Sequence, residues 1–532
     1  MKFHKSFLLL ALVLFVPFAL PRHAVAAEKA KNVESKEEKK EIESGDDHKS
    51  AVPAPHAKSE TPPQAKDDYY ELYKLLADTV DQVDRNYVKE VDRRELIEAA
   101  VRGVMAKLDP YSAYIGPEEL AQFRSSVDNE FGGIGLHVTT DDGDLKVLSP
   151  IYGTPAYRAG IQAGDRIVEI EGKSTEGIQP DDAIRWMKGA EGTKVSIIVV
   201  HAGQTRREKF TLARERVHVE TVLGDRRKAD DHWEYMYDEK SQIGYIRITA
   251  FSLETAKELR AALDGLKQRR VRGLVLDLRF NPGGLLRSAI EVSDLFISSG
   301  RIVSTKGRNT PERVWDAKGN AIFEGIPIVV LVNHYSASAS EIVSACLQDH
   351  KRAVVMGERT WGKGSVQNII ELENGRSALK LTTAAYKRPS GKNIHRFPDS
   401  KDKDEWGVMP DLGYELGLND RETRELLVDR RNRDIIVAHA TDEKSATAPA
   451  TPAGSSGKPA IAPSASPATL GPAVKDEPLA RRTGFLKAEA GKRPAQSESQ
   501  PAADKKPFVD RQLEMAVKYL RDELARKNGK QG

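Results

Sequence analysis

The chain has 532 residues, enough for two or more domains. Lys and Arg total 82 against 79 Asp and Glu, a formal charge of +3, and so close a balance leaves no global basic field to favour nucleic acid. The one cysteine, Cys346, excludes an internal disulfide; it falls on the apolar side of a predicted helix and reads as a small core residue.

Lys2 and Lys5 precede the apolar run FLLLALVLFVPFAL, and Ala24-Val25-Ala26 follow it. A short basic region, an apolar stretch too short for a comfortable span and small residues for a peptidase predict an export signal over residues 1–26, cut after Ala26. An uncleaved anchor is the alternative. No later stretch approaches the ~18 apolar residues of a transmembrane helix. The expectation is therefore an exported protein, in the bacterial periplasm or another extracytoplasmic space, soluble or peripheral to the inner membrane. Residues 27–66 are charged and rich in Ala and Pro, a linker too polar to bury a core. Residues 67–128 read as a helical region. Leu72, Leu75, Leu76, Val80 and Val83 recur at helical spacing, RRELIEAAVRGVMAKL predicts a second helix, and Pro110 and Pro117 break and restart the chain.

Residues 129–216 read as a β-rich module. LKVLSP, DRIVEIEG, KVSIIVV and REKFTLARE are predicted strands, and TPAYRAG and PDDAIRWMKG predicted helices. Gly133-Ile134-Gly135-Leu136, followed by Gly164-Asp165-Arg166-Ile167, makes the module resemble a PDZ domain. The resemblance implies that N–H groups of the first loop receive a peptide's terminal carboxylate while the peptide pairs as an added strand. Read alone, the glycines need only make tight turns.

Over residues 217–417 strands and helices alternate. IGYIRITAF alternates apolar and polar residues, RGLVLDLRFN is a strand, LLRSAIEVSDLFI a helix, and IPIVVLVN a buried strand; AVVMGERT and SALKLTTAAYKRP supply further strands. The pattern predicts an α/β core with helices covering a sheet. Residues 418–506 are assigned largely to a low-complexity tether, since Ala, Pro, Ser and Gly dominate past Ala440. Residues 507–527 then carry Val509, Leu513, Ala516, Val517 and Leu520 on one helical face. A lone helix of that length is marginal in water, so it should dock on its own core or on a second subunit.

The chemistry centres on HYSASASEIVSACLQD, residues 334–349. Ile342, Val343, Cys346 and Leu347 form an inward stripe, so the first turn of this helix lies near Ser338 to Glu341. Free N–H groups there carry partial positive charge. A nucleophile at that end would have an oxyanion site in the Ala339 N–H; equally, Ser336 or Ser338 could cap the helix. A serine hydroxyl needs a base. His334 is near in sequence without a matching acid, and Lys363, between glycines in GERTWGKGSVQ, is the better candidate. To act as base its pKa must fall by roughly three units from ~10.4, which desolvation supplies.

GYIRITAF, LDLRFNPGG, SASASEI, GKGSVQ and LTTAAYKRPSGKNI…GVMPDL follow the PDZ-like module in that order. Together they resemble the carboxyl-terminal processing proteases, also called tail-specific proteases, over roughly residues 70–417 and the final QLEMAVKYL. The resemblance implies a mixed α/β fold: a helical N-terminal region, a β-rich PDZ domain and a serine-protease core of the ClpP/crotonase type. It implies Ser338 as nucleophile, Lys363 as general base and Gln367 orienting the lysine, with backbone N–H groups of Gly284 and Ala339 as oxyanion site. Four residues of straight strand span ~13 Å, so this triad needs a bend near residues 362–364. Two features depart from the family pattern. Lys188 stands where an arginine is usual late in the PDZ domain, and a long insertion precedes the last helix. The implied activity is an exported serine endopeptidase cutting proteins near their C-termini, the PDZ domain recruiting the tail and gating the site. Its partners would be substrates with accessible tails, with an adaptor or a homodimer as further expectations. No HExxH or Walker loop occurs, so neither metal nor other cofactor is expected. The rival reading is a non-catalytic PDZ-containing scaffold.

Overall fold

A computed structural model describes residues 64–120, 123, 129–436 and 508–529. The expected leader, nearly all of the expected linker, residues 437–506 of the expected tether and residue 507 lie outside the described residues. Two helices come first, Gln64–Asn86 and Arg93–Ala106. The second starts on Asp92, whose carboxylate accepts the Arg94 and Glu95 amides at 2.6 and 3.2 Å, satisfying two of the donors a helix start leaves open. The apolar spacing of the first helix does not mark a buried face in this chain, for Leu72 and Leu75 are 62% and 64% exposed.

The module after residue 129 is an antiparallel sheet of Leu136–Asp141, Asp144–Pro150, Arg166–Ile170, Lys194–Val200 and Arg207–Ala213, in that spatial order. Leu145, Val147, Ile167, Val195, Ile197 and Val199 point inward and pack on Ala183 and Met187 of the helix Pro180–Met187. Leu136–Asp141 is left as one edge strand and Arg207–Ala213 as the other.

The core sheet carries four parallel strands, Ile243–Ile248, Gly273–Asp277, Ile328–Val332 and Val354–Gly357. Val222–Leu223 and Met236–Asp238 add antiparallel partners, so the sheet is mixed. Helices Thr255–Gln268, Leu286–Asp294 and Ala339–Asp349 cover one face; Cys346 is buried there, as a small core residue should be. The helix Arg511–Gly529 covers the other through Leu513, Ala516, Val517, Leu520 and Leu524. With both faces covered, the alternation read in IGYIRITAF is lost: all six residues of Ile243–Ile248 are buried, and Arg247 pairs with Asp434 at 2.5 Å. A second, antiparallel sheet is built on Ser377–Lys387, which pairs with Ser365–Leu372, Ala113–Ile115 and Arg301–Lys306.

One boundary needs correction. The sequence reading ends the core at residue 417, but Asp420–Asp434 is a helix packed on it. Its apolar content is too low to show as an amphipathic stripe. Asn419 and Glu422 cap it reciprocally, and Arg430 and Arg433 pair with Asp277 and Asp225 of the core.

The C-terminal helix, open between two docking sites in the sequence, lies on its own sheet, with Leu520 fully buried over Gly273. Leu520→Ala should therefore lower the unfolding free energy in urea by about 2–5 kcal/mol. A loss below about 1 kcal/mol would mean that the helix does not hold this position in solution.

Candidate active site

The strand Ile328–Val332 is buried throughout, and the chain leaves it through a turn at Asn333 in which the Ser336 amide donates to the Asn333 carbonyl at 2.8 Å. The outer two of the three serines fasten this turn to the loop after Gly273–Asp277. Ser336 Oγ donates to the Leu278 carbonyl at 2.8 Å, and Ser340 Oγ to the Asn281 carbonyl at 2.9 Å. Ser338, between them, starts the helix Ala339–Asp349 at φ 55° and ψ −111°. A non-glycine residue rarely holds such a conformation, which costs of order 1–3 kcal/mol and persists only where the surroundings enforce it. Its hydroxyl faces the phenol of Tyr386, whose pKa burial pushes up to about 12 while the contact with Ser338 pulls it down.

The loop at Gly283 and Gly284 lies directly against this turn. A Cβ on Gly283 would stand 2.6 Å from the Ala337 carbonyl oxygen, 2.8 Å from Ser338 Cβ and 2.9 Å from the Ala339 nitrogen, so only glycine permits the approach. Gly284 is pressed on the Phe251 backbone, and the Leu285 amide donates to the Phe251 carbonyl at 2.8 Å. The proposed oxyanion donors thus come from two segments in contact.

Lys363 follows Gly362, whose φ is +89°. Gly362 packs on Arg396 and Trp406, and Gly364 on the His395 backbone, so the chain bends where the sequence required it. The Lys363 ammonium lies 4.9 Å from the Tyr111 ring centre. Burial, and after it the charge of Lys380, push its pKa down to about 8, against the pull of Glu341 and Asp109. Among the hydrogen bonds of the described residues, none joins Lys363 Nζ to Ser338 Oγ.

Glu341 links the two segments, and the sequence reading did not single it out. This fully buried carboxylate accepts Thr360 Oγ1 at 2.6 Å and the Gly362 amide at 2.7 Å on Oε1. Its Oε2 accepts the Ser338 and Lys363 amides, each at 2.8 Å. The two amide nitrogens therefore lie within 5.6 Å of each other, twice 2.8 Å. Burial pushes the Glu341 carboxyl up, and the four donors oppose this. Its spacing, three residues after a serine at a helix start, is the capping-box signal that could have found it.

Gln367 lines the same cleft, but its amide donates to Ser365 Oγ at 2.8 Å and Thr382 Oγ1 at 3.2 Å, not to the Lys363 side chain. His334 does have an acid partner, Glu358, at 2.6 Å, yet its side chain is 53% exposed and outside the cleft. The cleft, of ≈ 2790 Å³, is walled by Ser338, Lys363, Gly284 and Tyr386, and on the module's side by His137 and Ser149. The loop residues 133–136 lie outside it. There the Ile134 carbonyl accepts the Ala156 amide, and the Gly135 carbonyl accepts the Ile151 amide and Thr154 Oγ1. Across planar trans peptides the Gly135 and Leu136 amides point the opposite way. Leu136 is paired with Pro150, which has no N–H, at the free edge of the sheet. Lys188 rests on the Phe131 ring at 4.5 Å beside this loop, and burial lowers its pKa. Among the described residues no group of three or more His, Cys, Asp or Glu could hold a metal ion.

Glu341→Gln keeps the shape but sets an NH2 against two amide or hydroxyl donors. It should lower stability by about 1–3 kcal/mol and kcat by about tenfold or more. Thermal unfolding and single-substrate kinetics on the purified variant check both, and unchanged kcat would show that the clip does not position the site.

Residues 242–412 match peptidase family S41, residues 146–200 match the PDZ domain, and residues 24–119 match the activating protease CtpB N-terminal domain. A carboxy-terminal-processing protease of Bartonella bacilliformis is 38% identical over 382 residues, covering 68% of this chain and 82% of that protein. The carboxy-terminal processing protease CtpA of Bacillus subtilis is 36% identical over 338 residues, 63% of this chain and 67% of that one. A solved structure, of a photosystem II D1 C-terminal processing protease, is 30% identical over 65% of this chain and 92% of its own, with a TM-score of 0.37. With a relative of that identity covered over four fifths of its length, the chain belongs to the carboxy-terminal processing proteases, serine peptidases of family S41, and carries a PDZ domain.

Proposed function

We propose that Ser338 and Lys363 are the catalytic dyad of an exported endopeptidase that cuts proteins near their carboxyl ends. The observation that carries this is the shared Glu341 oxygen, which holds the two backbones side by side in one cleft. The Lys363 side chain swings off the Tyr111 ring to reach Ser338. In its neutral form it takes the Oγ proton as Oγ attacks the substrate carbonyl. Negative charge gathers on the carbonyl oxygen, where the Gly284 and Ala339 amides receive it. The lysine ammonium gives its proton to the leaving amine, and an ester to Ser338 remains. Water then attacks that ester, its proton passing to Lys363; the bond to Oγ breaks, Lys363 returns the proton to Oγ, and the new carboxyl end leaves with the serine restored. Gln367 acts on the lysine segment through Ser365 and Thr382. The mixed sheet, with four parallel strands and helices on both faces, supports a ClpP/crotonase-type core.

The PDZ domain is proposed to take the substrate's tail as an added strand beside Leu136–Asp141. The outward amides of Gly135 and Leu136 would meet the terminal carboxylate. His137 and Ser149 wall the catalytic cleft, so a tail bound on that strand lies beside the chemistry and is positioned to gate it. Export rests on residues 1–26. No described helix is long and apolar enough to cross a membrane.

Ser338→Ala, Lys363→Ala and Lys363→Arg should each lower turnover of an unstructured protein by about 10²-fold or more, since arginine does not deprotonate in a protein. The base works when neutral, so wild-type kcat/KM should rise with pH through about 8 and then level. Activity retained in Ser338→Ala would remove Ser338 as the nucleophile, and no turnover by the wild-type protein would favour the scaffold reading.

Tail recognition has a separate check. Hydrogen bonds to a charged carboxylate contribute ~1.5–3 kcal/mol, so amidating a peptide's end should weaken binding to the Ser338→Ala enzyme roughly 10- to 150-fold. Equal affinities for free-acid and amidated peptides, measured by calorimetry, would remove the tail-reading role of the loop and leave the dyad untouched.

A further inference from the structure

The wall of the lysine pocket opposite the serine helix is the strand Ser377–Lys387. Lys380 and Thr382, two apart, share one face of it. Thr382 Oγ1 accepts from Gln367 Nε2 and donates to Asp109 Oδ1, each at 3.2 Å. Lys380 lines the same cleft as Lys363 and Ser338. It is half-buried, and among the described residues its ammonium makes no ion pair and no hydrogen bond. A cation partly removed from water without a partner is costly, so its place here calls for a reason.

The reason lies in what else faces Lys363. Glu341 reaches it from the serine helix, with Oε2 on its own amide. Asp109 reaches it from the segment after Arg93–Ala106. That carboxylate is held by the Tyr111 amide at 2.7 Å, the Ser112 amide at 2.8 Å and Ser112 Oγ at 2.7 Å. The Tyr111 ring lies against the ammonium, Tyr386 stands across at Ser338, and His395 packs on Gly364. Two carboxylates near a lysine favour its protonated, catalytically useless form. Lys380 is the positive charge that opposes them.

We propose that Lys380 is a positioning residue of the reaction, its ammonium keeping Lys363 in the neutral form that accepts the Ser338 proton. This rests on the reading of Lys363 as the base. The two lysines titrate as a pair sharing a pocket, and the more deeply buried Lys363 gives up its proton first. After burial, the charge of Lys380 is the largest cause lowering Lys363. Lys380 is itself lowered by burial, with Asp109 acting to keep its proton on.

The test is kcat/KM against pH on an unstructured protein for wild type, Lys380→Met and Lys380→Arg, with Lys363→Ala alongside. Lys380→Met should move the rising limb up by about half a pH unit or more, which is about threefold less activity at pH 7. Its alkaline plateau should stay within about twofold of wild type. Lys380→Arg keeps the charge and should hold the midpoint within about 0.2 units. If Lys380→Met does not fold, as thermal unfolding reports, Lys380→Gln carries the same expectation. An unmoved midpoint in the neutral variant, or a lowered plateau without a shift, would assign Lys380 to packing and overturn the proposal while the dyad stands. A shift in Lys380→Arg as large as in Lys380→Met would overturn it too. Full activity in Lys363→Ala would instead remove the dyad, and this role with it.

Discussion

The Glu341 carboxylate is fully buried, and the geometry of the site depends on it. A carboxylate withdrawn from water costs several kcal/mol unless donors replace its hydration. Here four converge on it: the Thr360 hydroxyl and the amides of Gly362, Ser338 and Lys363. They come from the turn before the serine helix and from the bend before the strand Ser365–Leu372, so one charge ties together segments more than twenty residues apart. The strained backbone of Ser338 is sustained from the same side, because its amide must point at Oε2. The bend at Gly362, with its positive φ, turns two successive amides onto the carboxylate.

The other wall of the site hangs on a second buried charge cluster. Asp277 ends a parallel strand and is wholly enclosed. Burial alone would raise its pKa, but Arg279 and Arg430 overcome this and hold it well below the usual carboxylate range. Tyr245 donates to it at 2.8 Å, and Arg279 reaches on to Asp510 and Gln512 at the start of the C-terminal helix. The chain from Arg279 runs directly into the loop at Gly283 and Gly284. The helix 230 residues downstream therefore helps hold the loop that faces Ser338, through an ion-pair network in which every charge has an opposite neighbour. The site sits at the carboxyl ends of the parallel strands, where open α/β sheets place their chemistry.

Between these anchors lies a balance of charge. Lys363 is embedded among two carboxylates and one further lysine, and burial tilts it toward the neutral form. Ser338 and Lys363 are held close by backbone while their side chains rest on tyrosines, Tyr386 and Tyr111. The backbones of the two segments are thus held together by one carboxylate, whichever way the Ser338 and Lys363 side chains turn.

Many strands and helices of the module and the core were legible in the sequence, because period-two alternation and short apolar runs report local burial, but the helix Thr255–Gln268 and the strands Arg301–Lys306 and Ser365–Leu372 were not read from it. Ser338, Lys363 and the glycine pairs stood out as candidates through ordered motifs. Other features were not legible. The helix Asp420–Asp434 lacks an apolar stripe, since ion pairs to Asp277 and Asp225 hold it in place of hydrophobic packing. Arg247 looked like the polar beat of a half-exposed strand, and only a cover on both sheet faces makes it buried. Gln367 was assigned to Lys363, whereas its hydrogen bonds go to Ser365 and Thr382. By itself the sequence determined many of the strands and helices and which residue types could do acyl transfer, because periodicity and small-residue spacing are local properties. Only the tertiary structure decided that Glu341, Tyr386, Asp109 and Lys380 belong to the same site, because what each carboxylate, phenol and lysine does there depends on neighbours brought together across the chain.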